Sequence, residues 1–456
     1  MLRKHCDEAK TDSIEAIEDL INQESSIERV VLIDDLFGRL RVAAWIRDKP
    51  DAMRVMIDER LKSVADPYWT NEIWLASDTS TGEYRLAELA WKTGRQISDR
   101  FKVADRHRRL GAWLADLQSP AWTAHIEDEN ADPRDQTSAT PVEHKGPPIV
   151  VFHSFKGGMG RSTVLASFAV RRARRGERVV VVDMDLDAPG IATLLASDDK
   201  GTIAQWGIVD YFIERPFVQL DLADYYHACR SETVTGSGEI LVFPAGTLNN
   251  DYLGKLARID FEPTGDGLND HPLRTLLEEV RNKLEPNWIL IDSRTGISEP
   301  AGLLLGGIAH LHLLIGNSSE QSWRGLRLVL ERLGADRVRQ SLPQLECILA
   351  HAMVPEDTKA ARAAIEEFSE RARDEFASHY YAYTSEETEE LGIWDVSDLE
   401  GSDAPHVSIP LYYKPKFSHF DGLEDIADSL ASDADFGAIE RRILERFGVF
   451  EERENG

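Results

Sequence analysis

At 456 residues the chain is long enough for two hydrophobic cores rather than one. Its 52 basic residues face 80 acidic ones, a formal net charge of -28, so direct binding to DNA or to an anionic membrane is disfavoured unless basic residues are segregated. Cys6, Cys229 and Cys347 lie far apart and are odd in number, which suits a reducing compartment and provides no metal-ligand spacing. No signal-peptide core follows Met1 and no apolar run is long enough to span a bilayer, so a cytoplasmic protein is expected.

Residues 1–124 read as a separate N-terminal α+β domain, because Trp45, Trp69, Trp74, Trp91, Trp113 and Trp122 fall there, six of the ten tryptophans. Val30 to Ile33 and Leu40 to Ile46 read as strands around an Asp34-Asp35-Leu36-Phe37-Gly38 turn, with the two acids as turn formers rather than metal ligands. Ala52 to Val64 and Leu86 to Leu117 carry helical spacing, with Gly94 dividing the second stretch into two helices. Arg95, Arg100, Lys102, Arg106, Arg108 and Arg109 then form a basic helix face, solvated or docked on an acidic surface. No family is assigned to this domain. Residues 125–147 are rich in Asp, Glu, Pro, Ser and Thr and read as a flexible linker.

The stretch beginning at Ile149 organises the rest. Ile149 to Phe152 is an apolar run, Lys156-Gly157-Gly158-Met159-Gly160-Arg161-Ser162-Thr163 follows, and Val164 to Arg175 is helical with Gly176 as its stop. Arg178 to Asp183 is too apolar for a half-exposed strand and suits a parallel sheet covered on both faces. A polyphosphate needs close backbone approach, several N–H donors and a hydroxyl for Mg²⁺; a glycine loop opening a helix offers the first two, and Ser162 offers the third. The usual pattern has Lys immediately before that Ser or Thr, whereas this chain has Arg161, which keeps the charge in a planar, forked and bulkier group.

Strands at Ile240 to Phe243, Trp288 to Asp292, Leu311 to Gly316, Cys347 to Ala352 and Val407 to Tyr412 alternate with helices at Leu273 to Leu284, Ser322 to Leu333 and Ala360 to Phe376. That alternation predicts an α/β fold, a doubly wound and mainly parallel sheet, with ligands beyond the carboxyl ends of its strands. Gly437 to Phe450 places Ile439, Ile443, Phe447 and Phe450 on one face. Glu440, Glu445, Glu451, Glu452 and Glu454 count against a lipid surface, so residues 431–456 read as a packed amphipathic helix and an acidic tail.

Lys156 to Thr163, then Asp183-Met184-Asp185-Leu186-Asp187, then Ile289 to Asp292, together resemble the deviant phosphate-loop ATPases of the ParA/MinD type over roughly residues 148–430. The resemblance implies ATP and Mg²⁺ as cofactors, with adenine taken from the family. It implies that Gly157, Gly158, Met159 and Gly160 line the phosphates, that Arg161 stands in for the phosphate-binding lysine, and that Thr163 bonds the α-phosphate. It places Mg²⁺ on Ser162, Asp183 and Asp292, and gives Asp185 the attacking water. It makes Lys156 the "signature" lysine that reaches a partner subunit's phosphates, so that ATP joins a homodimer. Ser293-Arg294-Thr295-Gly296 departs from the family pattern. Arg294 is either an arginine finger in cis or the partner of Asp185 or Asp187 in a resting state.

The expected function is an ATP-dependent dimerisation switch acting on a protein partner, with slow hydrolysis. Two alternatives stand beside it. One is a nucleotide-dependent binding scaffold without turnover; the other is a tyrosine kinase of the same phosphate-loop class, disfavoured because Tyr380, Tyr381 and Tyr383 lie inside the chain rather than in a terminal cluster.

Overall fold

The computed structural model describes residues 5–35, 39–76, 82–105, 147–198, 201–215, 217–229, 231–259, 261, 271–339, 342, 344–383, 394–417 and 423–448. The chain divides into two compact units, Met1–Leu110 and Gly111–Gly456. The stretch read as a linker lies outside the described residues except for Pro147, as do Trp113, Trp122, Arg106, Arg108, Arg109, Phe450 and the acidic tail.

In the first unit a five-stranded sheet is built from β1 (Ile27–Asp34), β2 (Leu40–Ile46), β3 (Trp69–Leu75), β4 (Arg95–Ser98) and β5 (Phe101–Asp105). The order is β3-β2-β1-β5-β4, with β1 parallel to β5. The helices Cys6–Gln23 and Pro50–Ala65 bury Ile17, Leu20, Ile57 and Leu61 with Val30, Leu32, Val42 and Phe101; Gly82–Thr93 places Ala87 and Ala90 with Val31, Ile33 and Ala43. One expectation fails here. Helix does not run on past Gly94: it ends at Thr93, and a β4–β5 hairpin follows to Asp105, while residues 106–117 of the expected second helix lie outside the described residues. The reason is tertiary. Phe101 and Val103 alternate toward the core of a strand inserted beside β1, and burial of that face outweighs helical propensity. Arg95, Arg100 and Lys102 therefore form no helix face. Arg100 instead donates to the carbonyls of Ile27 (3.1 Å) and Ile21 (2.7 Å), and Lys102 Nζ lies 5.0 Å from the Trp91 ring centroid.

The second unit contains β6 (Ile149–Ser154), β7 (Arg178–Met184), β8 (His227–Cys229), β9 (Glu239–Phe243), β10 (Trp288–Ser293), β11 (Leu311–Gly316), β12 (Cys347–Val354) and β13 (Ile409–Tyr412). Their order is β13-β12-β11-β6-β10-β7-β9-β8, parallel throughout except for the β8 edge, which runs antiparallel to β9. Apolar runs on both faces make this possible. Val150, Phe152, Val179, Val181 and Leu290 face one core with the helix Arg161–Arg174, while Ile149, Val151, Val180, Val182, Ile289 and Ile291 face another with the helices Ile208–Glu214 and Pro272–Leu284.

The chain leaves β6 toward β7 and β9, fills the gap with β10, and then crosses to β11 on the other side of β6. That reversal opens a crevice at the carboxyl ends of β6 and β10, where such sheets take ligands. The last described helix, Ala434–Arg446, belongs to the first of these cores. Ile439, Ile443 and Leu444 are buried, and Glu440 accepts from Arg171 (2.6 Å) and Arg172 (3.4 Å). Among the described residues no helix is long and apolar enough to cross a membrane.

Candidate nucleotide-phosphate site

Residues 155–160 connect the end of β6 to the helix Arg161–Arg174. Gly158 (φ 75°) and Gly160 (φ 80°) take the left-handed backbone region that glycine occupies without strain, and the space a Cβ would enter at Gly157, Gly158 and Gly160 is open. The loop thus turns its backbone outward at the N-terminus of a fourteen-residue helix, where orphan N–H groups and the helix dipole favour an anion. Its entry is pinned by Phe155. The ring lies so close to the helix Glu320–Leu333 that a Cβ at Gly325 would stand 1.9 Å from Phe155 Cγ.

The carboxylates come from the neighbouring strands. Asp183 on β7 stands opposite Asp292 on β10, and both are buried. Asp185 follows β7, and its backbone N–H donates to Asp183 Oδ1 (3.2 Å), whereas Asp183 Oδ2 is buried with no hydrogen-bond partner. Burial, with Asp292 adding to it, pushes the Asp183 carboxyl well above its usual range; burial also raises Asp292, against the opposing pull of Arg161.

Arg161 occupies the centre of this group. Its Nε donates to Asp292 Oδ1 (2.5 Å) and its Nη2 to Asp185 Oδ2 (2.8 Å), while Ser162 Oγ donates to Asp292 Oδ2 (2.7 Å). The residue is 7% exposed, and its Nη1 is buried without a partner. Burial works against its charge, but the two carboxylates outweigh that cost and hold the guanidinium protonated.

The remaining expected residues lie around this core. Arg294 forms an ion pair with Asp187, both partly exposed. Lys156 is half-buried and makes no ion pair or side-chain hydrogen bond with a described residue. Met159 is buried beneath the loop, and Thr163 is half-buried on the first helical turn.

Three further residues shape the site and were not read from the sequence: His153, Phe155 and Gly325. His153 Nδ1 lies 3.2 Å from Ser293 Oγ, its Nε2 is buried without a partner, and burial beside Arg161 lowers its pKa to about 3, so it stays neutral. A His-Ser pair closing an otherwise apolar strand was the available signal; the Phe155–Gly325 contact spans the fold and left none.

A glycine loop between the switch-point strand and its helix, with buried carboxylates on the adjacent β10 and on β7 beyond it, defines a phosphate-loop nucleotide-binding α/β domain. Residues 147–212 match a family described as "ParA: NUBPL iron-transfer P-loop NTPase", so the motif-bearing stretch is similar to that family of P-loop NTPases. A curated relative, the cytosolic Fe-S cluster assembly factor NUBP2 homolog of Trichoplax adhaerens, is 40% identical over 52 residues, 11% of this chain and 20% of that protein. The chain thus spans a fifth of the length of that relative.

Among solved structures, pNOB8 ParA bound to nonspecific DNA is 15% identical, covering 66% of this chain and 99% of that one with a TM-score of 0.44. The cell division ATPase MinD of Pyrococcus furiosus is 17% identical, covering 66% and 98%, with a TM-score of 0.40. A ParA family ATPase from Chlorobium tepidum TLS is 13% identical, covering 66% and 98%, with a TM-score of 0.39.

Proposed function

We propose that this protein is a cytoplasmic, slowly hydrolysing ATPase that pairs with a second copy of itself when ATP is bound and acts in that form on a protein partner. One observation carries the reading: a phosphate-shaped loop, a metal-competent hydroxyl on Ser162 and the carboxylates of Asp183, Asp185 and Asp292 converge at one end of one sheet.

The residues fit a magnesium nucleotide. Asp183 Oδ2 and Arg161 Nη1 are buried without partners, and the loop leaves its anion side open. No group of three or more His, Cys, Asp or Glu among the described residues stands ready to hold a metal by itself, which suits an ion that keeps waters and phosphate oxygens among its ligands. When bound with nucleotide, Mg²⁺ neutralises charge on the β- and γ-phosphate oxygens.

In this reading the backbone N–H groups of Gly157, Gly158, Met159 and Gly160 hold the phosphates, and Thr163 holds the α-phosphate. Ser162 and Asp292 would carry the metal, with Asp183 behind them. Asp185 orients the attacking water once Arg161 releases it. Arg294 can leave Asp187 cheaply, since a partly exposed ion pair is worth about 0–1 kcal/mol, and turn toward the γ-phosphate as a finger. Lys156, which has no ion pair or side-chain hydrogen bond among the described residues, reaches the phosphates of the second copy.

Measured ATP turnover by the full chain tests this. We expect slow hydrolysis, reduced about 100-fold or more in Asp185→Ala, as loss of a water-orienting carboxylate does; equal turnover in both proteins would contradict the assignment. A second reading has one observation in its favour, the bond that holds Asp185 to Arg161: a nucleotide-dependent scaffold that never turns over. Retained ATP binding with no turnover at all would select it.

A further inference from the structure

Asp183, Asp185 and Asp292 bring three carboxylates together in a buried space. Among the described residues, the one cation bonded to them is Arg161, since Arg294 is engaged with Asp187. Asp183 Oδ2 is left without a partner, but both oxygens of Asp292 and one of Asp185 are taken. Asp292 Oδ1 accepts from Arg161, Asp292 Oδ2 accepts from Ser162, and Asp185 Oδ2 accepts from Arg161. A divalent ion approaching Asp292 therefore meets two oxygens that each already accept a hydrogen bond, beside a guanidinium charge that repels it. The planar fork of arginine is what permits one side chain to hold two carboxylates through Nε and Nη2; the point charge of a lysine does not span both in this way.

We infer that Arg161 is a tethered counter-ion that closes the metal subsite of the nucleotide-free protein, so that a divalent cation gains Asp292, and Asp185 becomes free to hold water, only after phosphate has drawn the guanidinium away. The inference rests on the nucleotide reading above and adds an order of events to it. Nη1 supplies the handle: it is a buried donor without a partner, on a residue that opens the helix directly after the glycine loop. A phosphate oxygen at the loop can engage that N–H without any other bond being broken first. Transfer of the remaining bonds from carboxylate to phosphate then keeps the guanidinium paired throughout, and leaves Asp292 for the metal and Asp185 for water. A buried charge is not stranded at any stage, which is the condition for such an exchange in a desolvated site.

Because the guanidinium and the metal compete for the same oxygens, removing one must strengthen the other. Couplings of this kind are typically about 5- to 150-fold. The experiment is a titration of nucleotide-free full-length protein with Mn²⁺, followed by electron paramagnetic resonance of the free ion. Wild type, Arg161→Gln, Arg161→Lys and Arg161→Gln/Asp292→Asn are compared after each is shown to be folded by its melting curve.

We expect Arg161→Gln to bind one Mn²⁺ at least about 10-fold more tightly than any site in the wild type, Arg161→Lys to fall between them, and the double variant to lose the gain. Acidic surface sites are common to all four proteins and cancel in the comparison. Should Arg161→Gln not fold, Arg161→Lys, which keeps the charge, decides the question against wild type. Mn²⁺ binding that is the same in wild type and in the folded Arg161 variants would overturn the inference. Since no nucleotide is present, that result is separate from a failure of the nucleotide reading, which would appear as wild-type protein that takes up no fluorescent ADP analogue.

Discussion

Both sheets of this chain set two aspartates side by side at the carboxyl ends of neighbouring parallel strands, and both bring one cation to the acids gathered there. In the smaller sheet Asp34 stands opposite Asp105, and Lys10 Nζ reaches Asp34 Oδ2 (3.1 Å) and Asp105 Oδ1 (2.5 Å). In the larger, Asp183 stands opposite Asp292, and Arg161 joins Asp292 to Asp185. The arrangement is alike and the setting is not. The side chains of Lys10, Asp34 and Asp105 are 27%, 24% and 33% exposed, whereas those of Arg161, Asp185 and Asp292 are 8%, 10% and 1% exposed. Water screens the first group and lets each member survive alone. Burial makes the second group interdependent, because removing any one leaves an uncompensated charge. A buried pair of this kind gives little net stability.

The contrast can be broken in several ways, the largest first. Asp292→Asn is expected to destabilise the protein by about 3 kcal/mol, since it strips Arg161 of its shortest bond within a buried site. Calorimetry of the full chain would show it as a lowered melting transition, and an unchanged one would mean the site is wetter than its burial implies. Gly325→Ala forces a Cβ into the Phe155 ring and should cost about 1–3 kcal/mol by overpacking. Because Phe155 directly precedes Lys156, the same variant should weaken binding of a fluorescent ADP analogue, whereas a tolerated substitution with unchanged ADP binding would show that the loop does not depend on this contact.

Acid sensitivity of the larger sheet follows from its buried histidines. His312 on β11 is fully buried, and burial lowers its pKa from the ordinary 6.5 to about 4. Between those values the unfolded chain binds a proton that the folded one refuses, so stability falls as pH drops through that window. The slope is about 1.4 kcal/mol per pH unit for one such group. Melting temperatures of His312→Asn should therefore decline less between pH 6.5 and 4 than those of the wild type; parallel declines would exclude His312 as a contributor. At the small end, Asp105→Asn removes one of two partners of a partly exposed lysine and should cost less than about 1 kcal/mol. A loss as large as that of Asp292→Asn would erase the distinction between the two sheets.

The larger sheet was legible because its strands announce themselves twice, as β-branched apolar runs and by their alternation with helices. Val179 to Val182 and Ile289 to Leu290 can lie only in a sheet covered on both faces, and the glycine loop marks which strand end takes the ligand. In the first unit β5 is five residues long and becomes a strand only because β1 offers it an edge and a core, information held at Val30 to Asp34 rather than in the strand itself. For the same reason β3 and the helix Cys6–Gln23 were not anticipated. At the site, the identities of Ser162, Asp183, Asp185 and Asp292 were readable from spacing and resemblance. That Arg161 would be bound by two of these carboxylates was not, because a side-chain rotamer choosing between phosphate and carboxylate leaves no periodic trace. Of the partners considered for Arg294, the structure brings Asp187 to it and leaves Asp185 with Arg161.

The central claim is that ATP changes the association of this chain through Lys156. Molecular mass in solution, measured with ATP, with ADP and without nucleotide for the wild type and for Lys156→Ala, tests it directly. The account predicts a dimer that forms with ATP alone and is lost in the variant. A mass indifferent to nucleotide, or a dimer that survives Lys156→Ala, would contradict it.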